Sequence, residues 1–90
     1  MQKGGMVVRS RLKELVAQIE RKKGKSVQQQ EIAELTGLTK NTVSRWMKPD
    51  SFDRIETDTA VRLCFFVSQS LEQKCEIGDL LYIDYIPTPA

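Results

Sequence analysis

The stretch that decides the fold is Gln28–Met47, QQQEIAELTGLTKNTVSRWM. Its apolar residues have the 3.6-residue spacing of two short amphipathic helices separated by Gly37. The inner faces carry Ile32, Ala33 and Leu35 in the first helix, and Val43, Trp46 and Met47 in the second. Gly37 can adopt the left-handed conformation that ends a helix. The stretch therefore predicts two helices joined by a tight turn.

Polar residues predict where each of these helices begins. Ser26 and Gln29 have the separation of a capping box, in which the serine hydroxyl accepts an otherwise unpaired backbone N–H. Thr39 has the position of an N-cap ahead of Lys40. Pro49 ends the second helix, because it has no backbone N–H to donate and restricts the residue before it. Both helices are therefore predicted to be short.

The outward face of the second helix carries groups suited to DNA bases. It is formed by Asn41, Ser44, Arg45 and Lys48. Asparagine can pair two hydrogen bonds with adenine, arginine can do the same with guanine, and serine can donate or accept. Alternatively, the face is polar only because it meets water, as on most surface helices. We favour base reading, because this compact face has amide and cationic groups and no acid.

The pattern resembles the helix-turn-helix of the Cro/C1 type, or XRE family, of bacterial and phage DNA-binding regulators. The resemblance rests on EIAELTGLTKNTVSR, Glu31–Arg45, with its A-x-x-x-G-L spacing followed by N-T-V-S-R. It extends to RLKELV at Arg11–Val16, RIETDTAVRLC at Arg54–Cys64 and IGDLLY at Ile77–Tyr82. These segments are similar to the family's first helix, fourth helix and closing segment.

The resemblance implies an all-α bundle of about five helices, formed by residues 7–86. It also implies a sequence-specific, double-stranded DNA-binding transcriptional regulator, expected to be a cytoplasmic, nucleoid-associated homodimer that acts as a repressor. The family places its third helix in the major groove, which assigns base reading to Lys40, Asn41, Ser44 and Arg45. Phosphate contacts are expected from Gln28, Gln29, Thr39, Thr42 and Lys48.

Three further helices are predicted from apolar stripes. The first helix carries Leu12, Leu15, Val16 and Ile19 and ends at Gly24; the fourth carries Ala60, Leu63, Cys64 and Val67. Their i, i+3, i+4, i+7 spacing places each stripe against a core. Thr57 or Asp58 can cap the fourth helix. A short fifth helix is predicted at Ile77–Leu81.

The ends of the chain predict a short β pair. Val7 and Val8 are β-branched, and Leu81–Ile83 begins an alternating apolar and polar run. Their pairing would join the two termini or two subunits. Residues 1–6 are expected to be a flexible N-terminus and residues 87–90 a tail, because Pro87 and Pro89 interrupt strand pairing.

The predicted loop from Pro49 to Thr57 contains two residues of interest. Arg54 can contact a phosphate, or one of the nearby carboxylates can hold it in a surface ion pair. Phe52 is predicted to plug the core, because no second aromatic residue flanks it as single-strand binding platforms require.

Phe65 and Phe66 extend the fourth helix's apolar stripe beyond one face. Such surface can widen the core or be covered by another subunit. We therefore consider a homodimer interface at Phe65 or Phe66, with Tyr82 as a further candidate. The alternative function is a protein-interaction or antitoxin-like module with the same fold, binding another protein through these aromatics and the terminal strand.

Charge is divided unequally along the chain. Residues 1–48 carry eleven basic and four acidic residues, net +7, whereas residues 49–90 carry three basic and eight acidic residues, net −5. This asymmetry suits a molecule that turns its N-terminal half toward a polyanion. The run Arg21–Lys25 can instead stabilise the end of the first helix against its dipole.

The composition argues against catalysis. The chain has no histidine, which removes the commonest general base and metal ligand. Cys64 and Cys75 lack C-x-x-C spacing, and no glycine-rich phosphate loop is present. Cys64 is predicted to be a small buried hydrophobe. We predict no enzyme activity, no metal, no cofactor and no membrane association.

Overall fold

The computed structural model describes residues 5–86, which form five helices and a two-stranded antiparallel sheet. In chain order the elements are β1 (Gly5–Ser10), α1 (Leu12–Lys23), α2 (Gln29–Thr36), α3 (Lys40–Met47), α4 (Thr57–Leu71), α5 (Ile77–Leu80) and β2 (Leu81–Ile86). The predicted helices are present in order. The fold is mixed rather than purely α-helical, because the terminal sheet spans six residues on each strand.

The core lies between the helices and is mainly aliphatic, with Trp46 and Phe66 as its buried aromatic residues. Its most deeply buried members are Leu12, Ile19, Ile32, Val43, Leu63, Val67 and Leu80, which come from all five helices. Burying one such side chain contributes about 1.5–3 kcal/mol. α4 contacts α1, α2 and α5, while α3 packs against α1 and α2. The longest helix therefore supports α2 directly, and α3 rests on α1 and α2.

The predicted stripes of α1 and α4 are confirmed. Leu12, Val16 and Ile19 are buried on α1, where Leu15 is half-buried against the core, and α4 buries Ala60, Leu63, Cys64 and Val67. The predicted inner face of α2 is only partly correct. Ile32 and Ala33 are buried, but Leu35 is 65% exposed. The inward position is taken by Thr36, whose hydroxyl donates 2.7 Å to the Ile32 carbonyl oxygen.

Of the three predicted N-caps, Thr39 at α3 is confirmed, whereas those at α2 and α4 are wrong. The Thr39 hydroxyl accepts a 3.1 Å hydrogen bond from the Thr42 amide, as an N-cap should. Ser26 does not cap α2, because the Glu20 carboxylate accepts from the Val27 amide at 2.8 Å and the chain stays extended through Gln28.

The start of α4 is also shifted by one residue from the prediction. Its N-cap position is held by Glu56, and neither Thr57 nor Asp58 caps it. The Glu56 side chain instead accepts from the Thr59 hydroxyl at 3.4 Å. At α5 the cap is reciprocal, since Glu76 and Asp79 form a capping box.

The strand pairing is confirmed and closes the chain on itself. Val8 lies opposite Ile83, and Ser10 lies opposite Leu81. The strand begins earlier than predicted, because Gly5 and Met6, assigned to a flexible N-terminus, pair with Ile86 and Tyr85. Residues 1–4 and the tail at 87–90 lie outside the described residues. The Phe52 amide donates 2.9 Å to the Val8 carbonyl, which ties the loop after α3 to β1.

Two glycines end helices in the left-handed conformation and offer a matched test. Gly24 has φ 72° with nothing near a built Cβ, whereas at Gly37 (φ 77°) a Cβ would lie 2.9 Å from Arg62 Nη1. That nitrogen donates 2.8 Å to the Thr36 carbonyl. We expect Gly24→Ala to lower the unfolding free energy by about 1–2 kcal/mol from backbone strain alone.

Gly37→Ala should lower the unfolding free energy by the same amount and by about 0.5–1.5 kcal/mol more, because Arg62 must move away from the Thr36 carbonyl. Urea unfolding of both variants measures the difference. Equal losses would mean that the Arg62 hydrogen bond does not contribute to stability.

Within residues 5–86, no helix has both the length and the apolar content needed to cross a membrane.

Candidate nucleic-acid interface

The outward face of α3 is fixed by the burial of its opposite face. Val43 is fully buried and Trp46 is 4% exposed, so α3 is anchored in the core along one side. Lys40 and Asn41 then lie exposed in its first turn, and Ser44 is half-exposed one turn later. These three predicted base-reading residues share one accessible face without an acidic residue.

The start of α2 lies beside this face. Gln28, Gln29 and Gln30 line a shallow hollow of about 410 Å³ together with Lys40 and Met47. The fold therefore brings the predicted phosphate contacts Gln28 and Gln29 next to a predicted base contact. The N-cap side chain makes no hydrogen bond to the first turn of α2. Unpaired backbone N–H groups at a helix N-terminus favour anions such as phosphate.

Arg45 is held by its own loop rather than presented on the open face. Its guanidinium donates to the carbonyl of Asp50 at 3.4 Å and, through a shorter bond, to that of Ser51. The same group lies 4.2 Å from the centre of the Phe52 ring. Phe52 in turn packs on Trp46 with ring centres 4.7 Å apart. We call Arg45, Trp46 and Phe52 the loop cluster.

The loop cluster supports the prediction that Phe52 plugs the core and assigns a structural contact to Arg45. Sequence reasoning missed this contact because it depends on the path of the loop. An arginine seven residues before an aromatic residue is a weak signal on its own. To contact a base, the Arg45 guanidinium would have to break its hydrogen bonds to the two loop carbonyls and its contact with the Phe52 ring.

Arg45→Lys tests this structural contact. Lysine keeps the charge but cannot bond two carbonyls in a fixed fork while stacking on a ring. We expect the unfolding free energy to fall by about 1 kcal/mol, from a lost hydrogen bond and a weaker cation–π contact. Lys48→Arg, at an exposed position on the same helix end, should change it little. Unfolding curves identical to wild type for Arg45→Lys would contradict the structural assignment.

The remaining predicted phosphate contacts surround α3. Lys48 is exposed at its C-terminal end, and Arg54 is exposed in the following loop. Among residues 5–86, Arg54 forms no salt bridge. The Thr39 and Thr42 hydroxyls lie 2.9 Å apart and are bonded to each other. Both hydroxyls are therefore partly used in starting α3.

The three candidate interface residues have different environments. Phe65 is 65% exposed, but Phe66 is only 6% exposed and belongs to the core. Phe66 therefore cannot present its ring to a partner, because α4 turns it toward the other helices and leaves only its edge at the surface. Tyr82 is half-buried, and the Arg11 guanidinium lies 4.3 Å from its ring centre. Of these three candidates, Phe65 alone has a largely exposed ring.

Ion pairs partly neutralise the charge asymmetry between the two halves of the chain. Arg9 pairs with Asp84 at 2.8 Å, and Lys22 pairs with Glu72 at 3.3 Å. Each pair joins a basic residue of the first half to an acid of the second. Lys40 and Lys48 form no such pair within residues 5–86. The cations at the two ends of α3 therefore keep their attraction for an anionic partner.

The thiol of Cys64 on α4 lies next to that of Cys75, in the loop that follows this helix. Burial raises the pKa of both thiols, and the pKa of Cys75 reaches about 12 with further contributions from neighbouring Cys64. Both are neutral at pH 7, and a neutral thiol is a poor nucleophile and a poor metal ligand. In the part of the chain that the structure describes, no cluster of three or more cysteine, aspartate or glutamate side chains could hold a metal ion.

Comparisons with protein-family models, curated proteins and solved structures find no match to this chain.

Proposed function

We propose that this chain is a sequence-specific, double-stranded DNA-binding transcriptional regulator of the Cro/C1 type. The observation that carries the proposal is the outward face of α3, where Lys40 and Asn41 are exposed, acids are absent and the start of α2 lies alongside. Eight helical residues extend about 12 Å, which is similar to the width of the major groove. α3 is the element that enters the groove.

In this proposal three side chains read bases. The Asn41 side-chain N–H can donate to adenine N7 while its Oδ1 accepts from the adenine N6 amino group, and Lys40 can donate to guanine O6 or N7. Ser44 lies one turn further along the same face. Arg45 keeps its place in the loop cluster, so sequence reading depends chiefly on Lys40, Asn41 and Ser44.

Positioning comes from contacts to phosphates. The start of α2, with Gln28 and Gln29, can donate backbone and amide N–H groups to one strand. Lys48 and Arg54 supply cations beyond the other end of α3. These contacts set the register of α3 but carry no sequence information.

A single domain reads few base pairs, so the working form is a homodimer on two half-sites about 34 Å apart. Repression by blocking access to the DNA is the simplest mechanism for a domain that occupies its binding site. Action on chromosomal or phage DNA places the protein in the cytoplasm, associated with the nucleoid. A protein-interaction or antitoxin-like module is the alternative, favoured by the exposed apolar side chain of Phe65.

The deciding experiment is selection of bound duplexes from a random DNA pool at near-physiological salt. Convergence on a short sequence, or on its inverted repeat, supports base reading. Binding without convergence, lost steeply as salt is added, would mean that only phosphates are contacted. Absence of binding would favour the interaction module.

A further inference from the structure

The described chain exposes an apolar surface that the DNA-binding face does not use. It is formed by Leu35, Val61, Phe65 and Ile77, whose exposed fractions are 65%, 54%, 65% and 45%. We call it the α2/α4 apolar surface. Exposed apolar residues scattered singly need no explanation, but a continuous group on one surface marks an interaction site.

Phe65 protrudes between two hollows of this surface. The first, of about 500 Å³, lies between α2 and α4 and includes Leu35, Val61 and the edge of Phe66. The second, of about 350 Å³, includes Val61, Cys64 and Ile77. A protruding ring and a cavity large enough to accept a ring therefore lie side by side on one face.

The charged group of the first hollow, Arg62, is already bonded within the chain. Arg62 donates 2.8 Å to Asp58 and 2.8 Å to the Thr36 carbonyl. Its charge is therefore balanced by a partner one helical turn away. A strongly charged ligand would gain little here, whereas a neutral apolar surface can dock without breaking either bond of Arg62.

We propose that two copies of this chain pair through the α2/α4 apolar surface, with Phe65 of each copy entering the first hollow of the other. A two-fold interface requires one patch to be self-complementary, which the adjacent ring and hollow satisfy. Only a few large apolar side chains take part, whereas a stable interface uses about 20–30 residues on each side. The pairing is therefore weak in solution and strengthens when DNA holds two copies close together.

Only the stronger pairing of two copies on DNA rests on the proposed function. The first test therefore uses no DNA. Sedimentation equilibrium over rising protein concentration should show a monomer–dimer equilibrium for the wild type. Phe65→Glu and Leu35→Glu should remain monomeric at every concentration, because a carboxylate would be buried without a partner.

Tyr85→Glu is the matched control, since Tyr85 is 70% exposed on β2 and lies outside the proposed interface. It should dimerise like the wild type. Circular dichroism should show all three variants folded, because each replaced side chain is largely in water. A wild type that stays monomeric, or a dimer unaffected by Phe65→Glu, would overturn the proposed pairing.

The second test compares one half-site with two on the selected DNA. The wild type should bind two half-sites at the preferred spacing about tenfold or more tightly than independent sites predict. Phe65→Glu should lose this cooperativity and keep its affinity for one half-site. Equal cooperativity in both proteins would overturn the pairing on DNA. If no DNA is bound, the proposed function fails, while sedimentation still decides the interface.

Discussion

Replacing Trp46 with alanine is expected to lower the free energy of unfolding by about 3–5 kcal/mol. Trp46 is 4% exposed on the inner side of α3 and packs on Phe52. Its removal leaves a cavity beneath the outward face of α3 and takes away the ring on which Phe52 packs. A domain of this size has a total stability of about 5–13 kcal/mol, so the variant should retain only part of it.

Urea unfolding followed by circular dichroism measures this change, since Trp46 is the only tryptophan and its fluorescence is lost with it. Met47→Ala is the matched control, because Met47 is a half-buried neighbour on the same helix. Met47→Ala should lower the free energy of unfolding clearly less than Trp46→Ala does. A loss below about 1 kcal/mol for Trp46→Ala would mean that the loop cluster does not anchor α3.

Asn41→Ala is expected to weaken binding to the selected DNA sequence by about 5- to 150-fold per half-site, the value of one good bidentate base contact. Asn41 is exposed and neutral, so neither stability nor phosphate attraction should change. Affinity for random DNA and the dependence of binding on salt should therefore match the wild type. Fluorescence anisotropy with both duplexes at several salt concentrations separates these quantities.

Lys48→Ala is the contrasting variant. It should weaken binding to selected and random DNA by similar factors and reduce the salt slope by about one, as expected for a lost phosphate contact. If Asn41→Ala weakened binding to both duplexes equally, its proposed base contact would be wrong. If it had no effect on either, sequence reading would have to come from other residues.

The positions of the helices were predictable because they depend on short-range information. A stripe such as Leu12, Val16 and Ile19 needs only the helical period to define its inner face, and all three residues are buried. Gly24 and Gly37 end their helices because only a residue without Cβ adopts the left-handed conformation at low cost. The strand pair was also predicted, although its start at Gly5 was not.

The candidate site was predictable in part. Lys40, Asn41 and Ser44 share an accessible face because Val43 and Trp46 fix the rotation of α3. The contact between the start of α2 and α3 required the fold, since the turn angle at Gly37 sets their distance. Arg45 was assigned to the same face by spacing, and the loop that engages its guanidinium arises from residues five to seven positions later.

The sequence by itself determined the order of the helices, the turn between α2 and α3, and the side of α3 that faces outward. Only the tertiary structure decided which apolar residues stay in water. Leu35 and Phe65 have the same chemistry as buried Ile32 and Phe66, but α2 packs mainly on α3 and α4 and leaves one side uncovered. Periodicity defines the faces of a helix, whereas burial depends on how many neighbouring elements cover them.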